Sequence, residues 1–118
     1  MSLLSCVEIC VVAGGQALGI ENAGFRAEAL VEIDARCCET LRHNRPNWNV
    51  IEGDVKEFSG QSYKGVDLFA GGVPCPPFSK AGKQLGREDE RRGLRLIDEI
   101  RPKAVMLENV RGFLDTIF

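Results

Sequence analysis

Residues 3–15, LLSCVEICVVAGG, decide the fold, because an apolar run ends there in a pair of glycines. The run from Leu3 to Cys10 has the length and the side chains of a buried strand. The glycines allow a tight turn into a helix, which we predict from Gln16 to Ala23 with Gly24 as its C-terminal stop. A strand, a glycine turn and a helix in this order are typical of an α/β protein.

The alternation of apolar runs and amphipathic stretches continues along the chain. Asp34 is placed to cap a second helix that continues through Arg42, and Pro46 prevents its extension. Further strands are predicted at Ala27–Ile33, Asn49–Ile51, Val66–Ala70 and Ala104–Leu107. Further helices are predicted at Gly93–Ile100 and from Arg111 to Phe118, with a loop from Phe78 to Glu90. Parallel strands need right-handed crossovers, so the expected fold class is α/β, with a doubly wound, mostly parallel sheet.

The bulk properties limit the classes of function. No apolar run approaches the roughly 20 residues that span a bilayer, and the start lacks the features of a signal peptide, so we expect a cytoplasmic protein without a membrane partner. His43 is the only histidine and no Cys-x-x-Cys spacing occurs, so we expect no metal site. The net charge is −2, with 15 basic and 17 acidic residues. If the substrate is a nucleic acid such as DNA, most of the binding affinity would have to come from elsewhere.

Glycines and carboxylates mark the carboxyl ends of the first three predicted strands, where open parallel sheets bind ligands. The turn Ala13-Gly14-Gly15 lets the backbone approach a ligand. Glu32 suits the hydroxyls of a ribose, and Asp54 could meet an adenine amino group. Each feature alone also fits an ordinary turn or a solvated charge, but together they predict an adenosine-containing cofactor.

The segment Pro74-Cys75-Pro76-Pro77-Phe78-Ser79 is the most specific in the chain. Prolines around one cysteine fix the backbone and present the thiol rigidly, which suits a nucleophile; the alternative is a surface turn with a buried cysteine. Glu108 ends the fifth predicted strand and would lie near Cys75 if their strands are neighbours. It could then act as a general acid or as a hydrogen-bonding partner for a heterocycle.

These motifs, in this order, resemble the amino-terminal half of the DNA (cytosine-5) methyltransferases. The resemblance covers Val7 to Asp115 and rests on Val7–Gly15, Val31–Asp34, Gly53–Val55, Gly72–Ser79 and Glu108–Val110. It implies a Rossmann-like fold of the S-adenosylmethionine-dependent methyltransferase type, with residues 1–118 as a partial catalytic and cofactor-binding domain. The chain departs from the family at Cys10 and Val12, where an aromatic residue and a glycine are usual.

The resemblance also implies a mechanism on double-stranded DNA. The Cys75 thiolate adds to carbon 6 of a flipped cytosine while Glu108 hydrogen-bonds the ring nitrogen 3 and the amino group, and carbon 5 takes the methyl group from S-adenosylmethionine. The cofactor-binding residues implied are Cys10, Ala13, Gly14, Gly15, Glu32, Ile33, Asp54, Val55, Gly72 and Pro74. The loop implied to close over DNA contains Ser79, Lys80, Lys83 and Gln84.

We expect the fold to be incomplete on its C-terminal side, because the family's base-contacting arginine motif and its target-recognition domain are absent. The leading hypothesis is therefore a fragment of a bacterial restriction–modification methyltransferase that does not methylate DNA alone. The alternatives are one subunit of a split methyltransferase, completed by a C-terminal chain, and an inactive cofactor-binding or interaction module.

Overall fold

Five parallel strands form a single sheet in the structure, a computed structural model that describes residues 3–72 and 94–108. The strands are β1 (Leu4–Ile9), β2 (Phe25–Glu32), β3 (Val50–Glu52), β4 (Leu68–Gly72) and β5 (Ala104–Glu108). Their order across the sheet is β3-β2-β1-β4-β5, and every neighbouring pair is parallel. The order reverses between β1 and β4, which confirms the predicted doubly wound sheet and places its switch point beside β1.

Helices cover both faces of the sheet. The α-helices are α1 (Gly15–Asn22), α2 (Ala35–Asn44) and α3, which is helical across 94–100. Two short 3-10 turns, Val55–Glu57 and Gln61–Tyr63, lie between β3 and β4, where no helix was predicted.

Apolar side chains from alternate positions of the central strands build the core on the two faces. On one face, Val7 and Ile9 of β1 pack in a cluster with Phe69 of β4 and with Leu96 and Ile100 of α3. On the opposite face, buried residues of three strands pack with buried residues of α1 and α2. The strand residues are Cys6 of β1, Leu30 of β2 and Ala70 of β4, and the helix residues are Ala17 and Ile20 of α1 and Cys38 and Leu41 of α2. Strands buried on both faces are expected to be apolar throughout, as the sequence of β1 nearly is.

The second helix begins as predicted. The Asp34 side chain caps α2 by accepting a hydrogen bond from the Cys37 amide at 3.0 Å. The helix continues to Asn44, two residues beyond the predicted end at Arg42, and still stops before Pro46.

Other boundaries differ from prediction by one or two residues. The first helix begins at Gly15 rather than Gln16, and β4 continues through Gly71 and Gly72. Both shifts involve glycines, because a glycine pair lacks the side-chain pattern from which boundaries are predicted. The loop predicted from Phe78 to Glu90 and the helix predicted from Arg111 to Phe118 lie outside the described residues.

Candidate functional site

The carboxyl ends of all five strands lie at one edge of the sheet, because every neighbouring pair is parallel. The turn after β1 and the last residues of β2, β3, β4 and β5 therefore lie along a single edge. That is where the sequence predicted a ligand site, and the described residues of the predicted site occupy it.

The glycine turn after β1 has an unusual backbone. Cys10, Val12 and Gly14 have φ angles of 55°, 57° and 101°, all in the left-handed region. The Cys10 amide still donates to the Val31 carbonyl at 2.9 Å, so the β1–β2 ladder continues into the turn. The Gly14 amide donates to the Val11 carbonyl at 3.2 Å, which closes the turn just before α1.

Two adjacent glycines serve different purposes in this turn. A Cβ atom on Gly14 would lie 2.7 Å from Cδ2 of Leu41, so the turn rests directly on α2, and this contact together with the positive φ favours glycine there. A Cβ atom on Gly15 would meet nothing within 4 Å, so the backbone at the start of α1 faces open space. The first turn of α1 carries no acidic side chain, which leaves its amide groups and the positive end of the helix dipole unneutralised by the helix itself. This geometry suits a ligand that approaches the backbone closely.

Val12 is an outlier, because a β-branched residue rarely adopts a left-handed conformation. Its side chain is 55% exposed, so burial does not hold it there. Its amide instead donates to Oε1 of Glu32 at 2.7 Å. The turn is therefore held in its strained form by the carboxylate at the end of β2.

Glu32 is buried and bridges two loops. Its second oxygen, Oε2, accepts a hydrogen bond from the Asp34 amide at 2.9 Å, so one carboxylate joins the β1 turn to the start of α2. Each carboxylate oxygen has two lone pairs, so a further donor such as a ribose hydroxyl can be accepted at either atom. The next side chain, Ile33, is 59% exposed, which makes a large apolar surface available beside the carboxylate.

Asp54 and Val55 are held next to Glu32. The Gly53 amide donates to the Glu32 carbonyl at 2.9 Å, which extends the pairing of β2 and β3 by one step. Asp54 then caps the 3-10 turn Val55–Glu57, and its Oδ1 accepts from the Lys56 amide at 3.0 Å. Two of the three carboxylates predicted for the site thus lie on directly connected segments of backbone.

The third predicted carboxylate, Glu108, lies at the end of β5 in register with Gly72 at the end of β4. A Cβ atom on Gly72 would lie 3.5 Å from Oε2 of Glu108, so the side chain reaches across to the neighbouring strand. The preceding Gly71 is required by packing, because its Cβ would lie 2.8 Å from the Ile9 carbonyl oxygen. Cys75 follows Gly72 by three positions in the sequence, and the strand neighbourhood on which its pairing with Glu108 depended is confirmed.

Several predicted site residues lie outside the described residues, and their predicted roles stay predictions. These are Pro74, Cys75, Ser79, Lys80, Lys83 and Gln84.

Glu8 is a buried carboxyl to which the sequence assigned no role of its own. It lies in the middle of β1, opposite Leu30 and Ala70 in the register, and is only 2% exposed. Burial raises the pKa of its carboxyl from 4.5 to about 7, and no hydrogen bond joins that carboxyl to another described residue. A charged residue within an apolar strand was the available signal. Glu8 in turn adds to burial in raising the pKa of the Cys6 thiol to about 12.

The described ranges, 3–72 and 94–108, contain neither a metal-binding cluster nor a membrane-spanning helix. They contain no group of three or more histidine, cysteine, aspartate or glutamate side chains arranged to hold a metal ion. No helix within them is long and apolar enough to cross a membrane.

Comparison with known proteins identifies the family of this chain. The family model described as C-5 cytosine-specific DNA methylase matches residues 4–117. The chain belongs to this family. It is 65% identical over 116 residues to the type II methyltransferase M.NgoMIV of Neisseria gonorrhoeae, covering 95% of this chain and 37% of that protein. It is 48% identical over 120 residues to M.Eco47II of Escherichia coli, covering 97% and 29%.

A solved structure shows the same architecture. A DNA modification methyltransferase encoded within an E. coli prophage superposes with a TM-score of 0.81 at 27% identity, covering 94% of this chain and 33% of that one. The fold is thus the Rossmann-like fold of S-adenosylmethionine-dependent methyltransferases, as the resemblance implied. The chain spans about a third of the length of these three relatives.

Proposed function

We propose that this chain is the cofactor-binding and nucleophile-bearing part of a DNA cytosine-5 methyltransferase that acts within a restriction–modification system. The observation that carries the proposal is the register of Gly72 with Glu108, because it puts a carboxylate beside the strand end that leads to Cys75. Three residues span at most about 10–11 Å, which is compatible with the proposed approach of Cys75 to Glu108. The names of the curated relatives, both type II methyltransferases, support the biological setting.

The residues of the edge fit S-adenosylmethionine, which supplies the methyl group when bound. Glu32 is positioned to accept the ribose hydroxyls, with its carboxylate already fixed by the amides of Val12 and Asp34. Ile33 offers an exposed apolar surface for the adenine ring, and Asp54 lies on the next segment to accept from the adenine amino group. The open space at Gly15 leaves room for the methionine end, beside which we also place Cys10, Ala13 and Gly14.

The chain's own residues then act on the cytosine. A base taken out of the duplex exposes carbon 6, to which the Cys75 thiolate adds. The addition pushes negative charge onto the ring, and a hydrogen bond from Glu108 to nitrogen 3 stabilises that charge. Glu108 also accepts from the amino group, so the same side chain selects cytosine. Once carbon 5 carries the methyl group, a base removes the proton from that carbon, and the electrons of the broken C–H bond restore the double bond between carbons 5 and 6 as the thiolate leaves.

We expect most of the affinity for DNA to come from parts of the full polypeptide other than these 118 residues. The net charge of −2 gives this chain little general attraction for phosphates. We assign DNA contacts within the chain to Ser79, Lys80, Lys83 and Gln84. We therefore expect the isolated 118 residues to bind cofactor without methylating DNA.

The nucleophile is tested by covalent trapping on duplex DNA that contains 5-fluorocytosine at the target position, which blocks loss of the carbon 5 substituent. The experiment uses the full polypeptide of which this chain is part. Wild type should form a denaturant-stable adduct, and Cys75→Ala should form none. Cys37→Ala is the matched control, because Cys37 is a free thiol on α2, and it should trap as wild type does. An adduct with Cys75→Ala would refute the assignment.

A further inference from the structure

A salt bridge on α3 holds the 3-10 turn Val55–Glu57, which we propose lies beside the adenine ring of the cofactor. Arg95 reaches from the helix to the backbone of the segment after β3. Its Nη2 donates to the Val55 carbonyl at 3.0 Å and to the Phe58 carbonyl at 3.1 Å. These carbonyls flank the 3-10 turn capped by Asp54, so one guanidinium fixes both ends of that turn.

Glu99, one helical turn further on, fixes the continuation of the same segment. Its Oε2 pairs with Nη1 of Arg95 at 2.5 Å, and its Oε1 accepts from the Gly60 amide at 2.8 Å. The Gly60 amide, followed by Arg95, holds the pKa of Glu99 below its ordinary value, so the pair stays charged at neutral pH. A Cβ atom on Gly60 would lie 2.5 Å from Cγ1 of Ile100, so the backbone here presses directly on α3.

The direction of the Arg95 side chain decides between two uses of this residue. By sequence it belongs to a group of arginines with Arg87, Arg91 and Arg92, which would suit contact with phosphates. In the structure its donors are used by backbone carbonyls and by Glu99, and its side chain is 36% exposed. A guanidinium that satisfies two carbonyls and a carboxylate holds a loop in place through a rigid, planar set of donors.

We propose that Arg95, supported by Glu99, is a positioning residue for recognition of the adenine amino group. The inference rests on the proposed function, since it assumes that Asp54 and Val55 meet the adenine edge of S-adenosylmethionine. Binding groups must be held within about 0.5 Å of their productive position, and an unsupported 3-10 turn of three residues would not achieve that. Loosening the turn should therefore cost selectivity for the amino group more than it costs binding of the rest of the cofactor.

The test compares two ligands by calorimetry on the full polypeptide. They are S-adenosylhomocysteine and S-inosylhomocysteine, in which a carbonyl group replaces the adenine amino group. Wild type should bind S-adenosylhomocysteine more tightly than S-inosylhomocysteine. Arg95→Met should reduce this ratio of affinities about tenfold, the factor expected from the loss of one or two net hydrogen bonds. Arg95→Lys should fall between them, because a single ammonium cannot replace the planar fork. Arg26→Met is the control, since the exposed Arg26 pairs with Glu28 on β2, away from the 3-10 turn, and should leave the ratio unchanged.

The outcomes separate this inference from the function on which it rests. A lower melting temperature with an unchanged ratio of affinities would make Arg95 merely structural and overturn the inference. An unchanged ratio with weaker DNA binding would assign Arg95 to phosphates instead, with the same consequence. If Arg95→Met does not fold, Arg95→Lys and Glu99→Gln supply the ratio. Failure of wild type to bind S-adenosylhomocysteine at all would refute the proposed function itself.

Discussion

Replacing Glu8 by glutamine should remove most of the pH dependence of stability between pH 5 and pH 8. The carboxyl is 2% exposed in the central strand, and burial raises its pKa from 4.5 to about 7. Between these two values the folded protein keeps a proton that the unfolded chain has released. Stability must therefore fall as pH rises through this window and stay low above it.

The size of the effect follows from the shift. The rise in pKa from 4.5 to about 7 corresponds to a decrease of about 3 kcal/mol in the free energy of unfolding, at 1.36 kcal/mol for each unit of pKa. The decrease is complete once the pH is above 7. Glutamine has nearly the same shape and no charge, so Glu8→Gln avoids this loss. The free energy of unfolding of Glu8→Gln, relative to that of wild type, should therefore increase by about 2–3 kcal/mol between pH 5 and pH 8. Any fixed cost of burying the amide cancels in that difference.

Other shifted groups titrate outside the chosen window. The carboxyls of Asp34, Asp67 and Glu99 have lowered pKa values, so the stability they contribute is lost only as pH falls below their ordinary range. Burial and the neighbouring Glu8 raise the pKa of Cys6 to about 12, which lies above the window. The pH interval from 5 to 8 therefore isolates Glu8 among the carboxyl and thiol groups with shifted pKa values in the described ranges.

Urea unfolding at pH 5 and pH 8 measures the difference. The free energy of unfolding falls by about 1–3 kcal/mol per molar urea. The difference between the urea midpoints of Glu8→Gln and wild type should therefore change by roughly 1–3 M between the two pH values. Glu39→Gln, on the exposed surface of α2, is the control and should follow the wild-type profile. Parallel profiles for wild type and Glu8→Gln would show that the Glu8 carboxylate is not desolvated, and the reasoning would fail.

Three further substitutions test the glycine turn after β1 and a hydrogen bond between Trp48 and α1. Gly14→Ala should lower the free energy of unfolding by about 1–3 kcal/mol because of the positive φ and the close contact beneath it, whereas Gly15→Ala should leave stability equal or raise it by up to about 1 kcal/mol. Gly15→Ala should nevertheless weaken S-adenosylhomocysteine binding in calorimetry, and unchanged binding would remove Gly15 from the cofactor site. Trp48→Phe should cost about 1 kcal/mol in urea unfolding, because it removes the 3.0 Å hydrogen bond from Nε1 to Glu21; a neutral result would mean that water replaces this bond.

The parts of the fold that follow from local chemistry were predictable from the sequence. Asp34 caps α2 as predicted, because a side-chain cap depends on only a few neighbouring residues. The gathering of Glu32, Asp54 and Glu108 at one edge followed from a parallel sheet, in which all carboxyl ends must lie together. Their distance from a bound cofactor stays a prediction.

The parts that depend on distant packing could not be predicted. Glu8 carries no sequence signal for its burial beyond its apolar neighbours, since the elements that cover it are remote in the chain. Arg95 belonged by sequence to a basic cluster, and only its contacts with Val55 and Phe58 show that it is directed at the segment after β3. The 3-10 turn held there depends on α3, about 40 positions away in the sequence.

Val12 shows how closely the strained turn and the proposed ribose ligand depend on each other. A left-handed conformation costs a residue with a side chain about 1–2 kcal/mol, and such strain persists only where the surroundings enforce it. Here the enforcing contact is the 2.7 Å hydrogen bond from the Val12 amide to Glu32. Removing the Glu32 carboxylate would therefore change the glycine turn as well as any ribose contact, so loss of cofactor binding in a Glu32 variant cannot by itself prove a direct contact. Gly15→Ala, which leaves that hydrogen bond intact, is the cleaner test of where the cofactor lies.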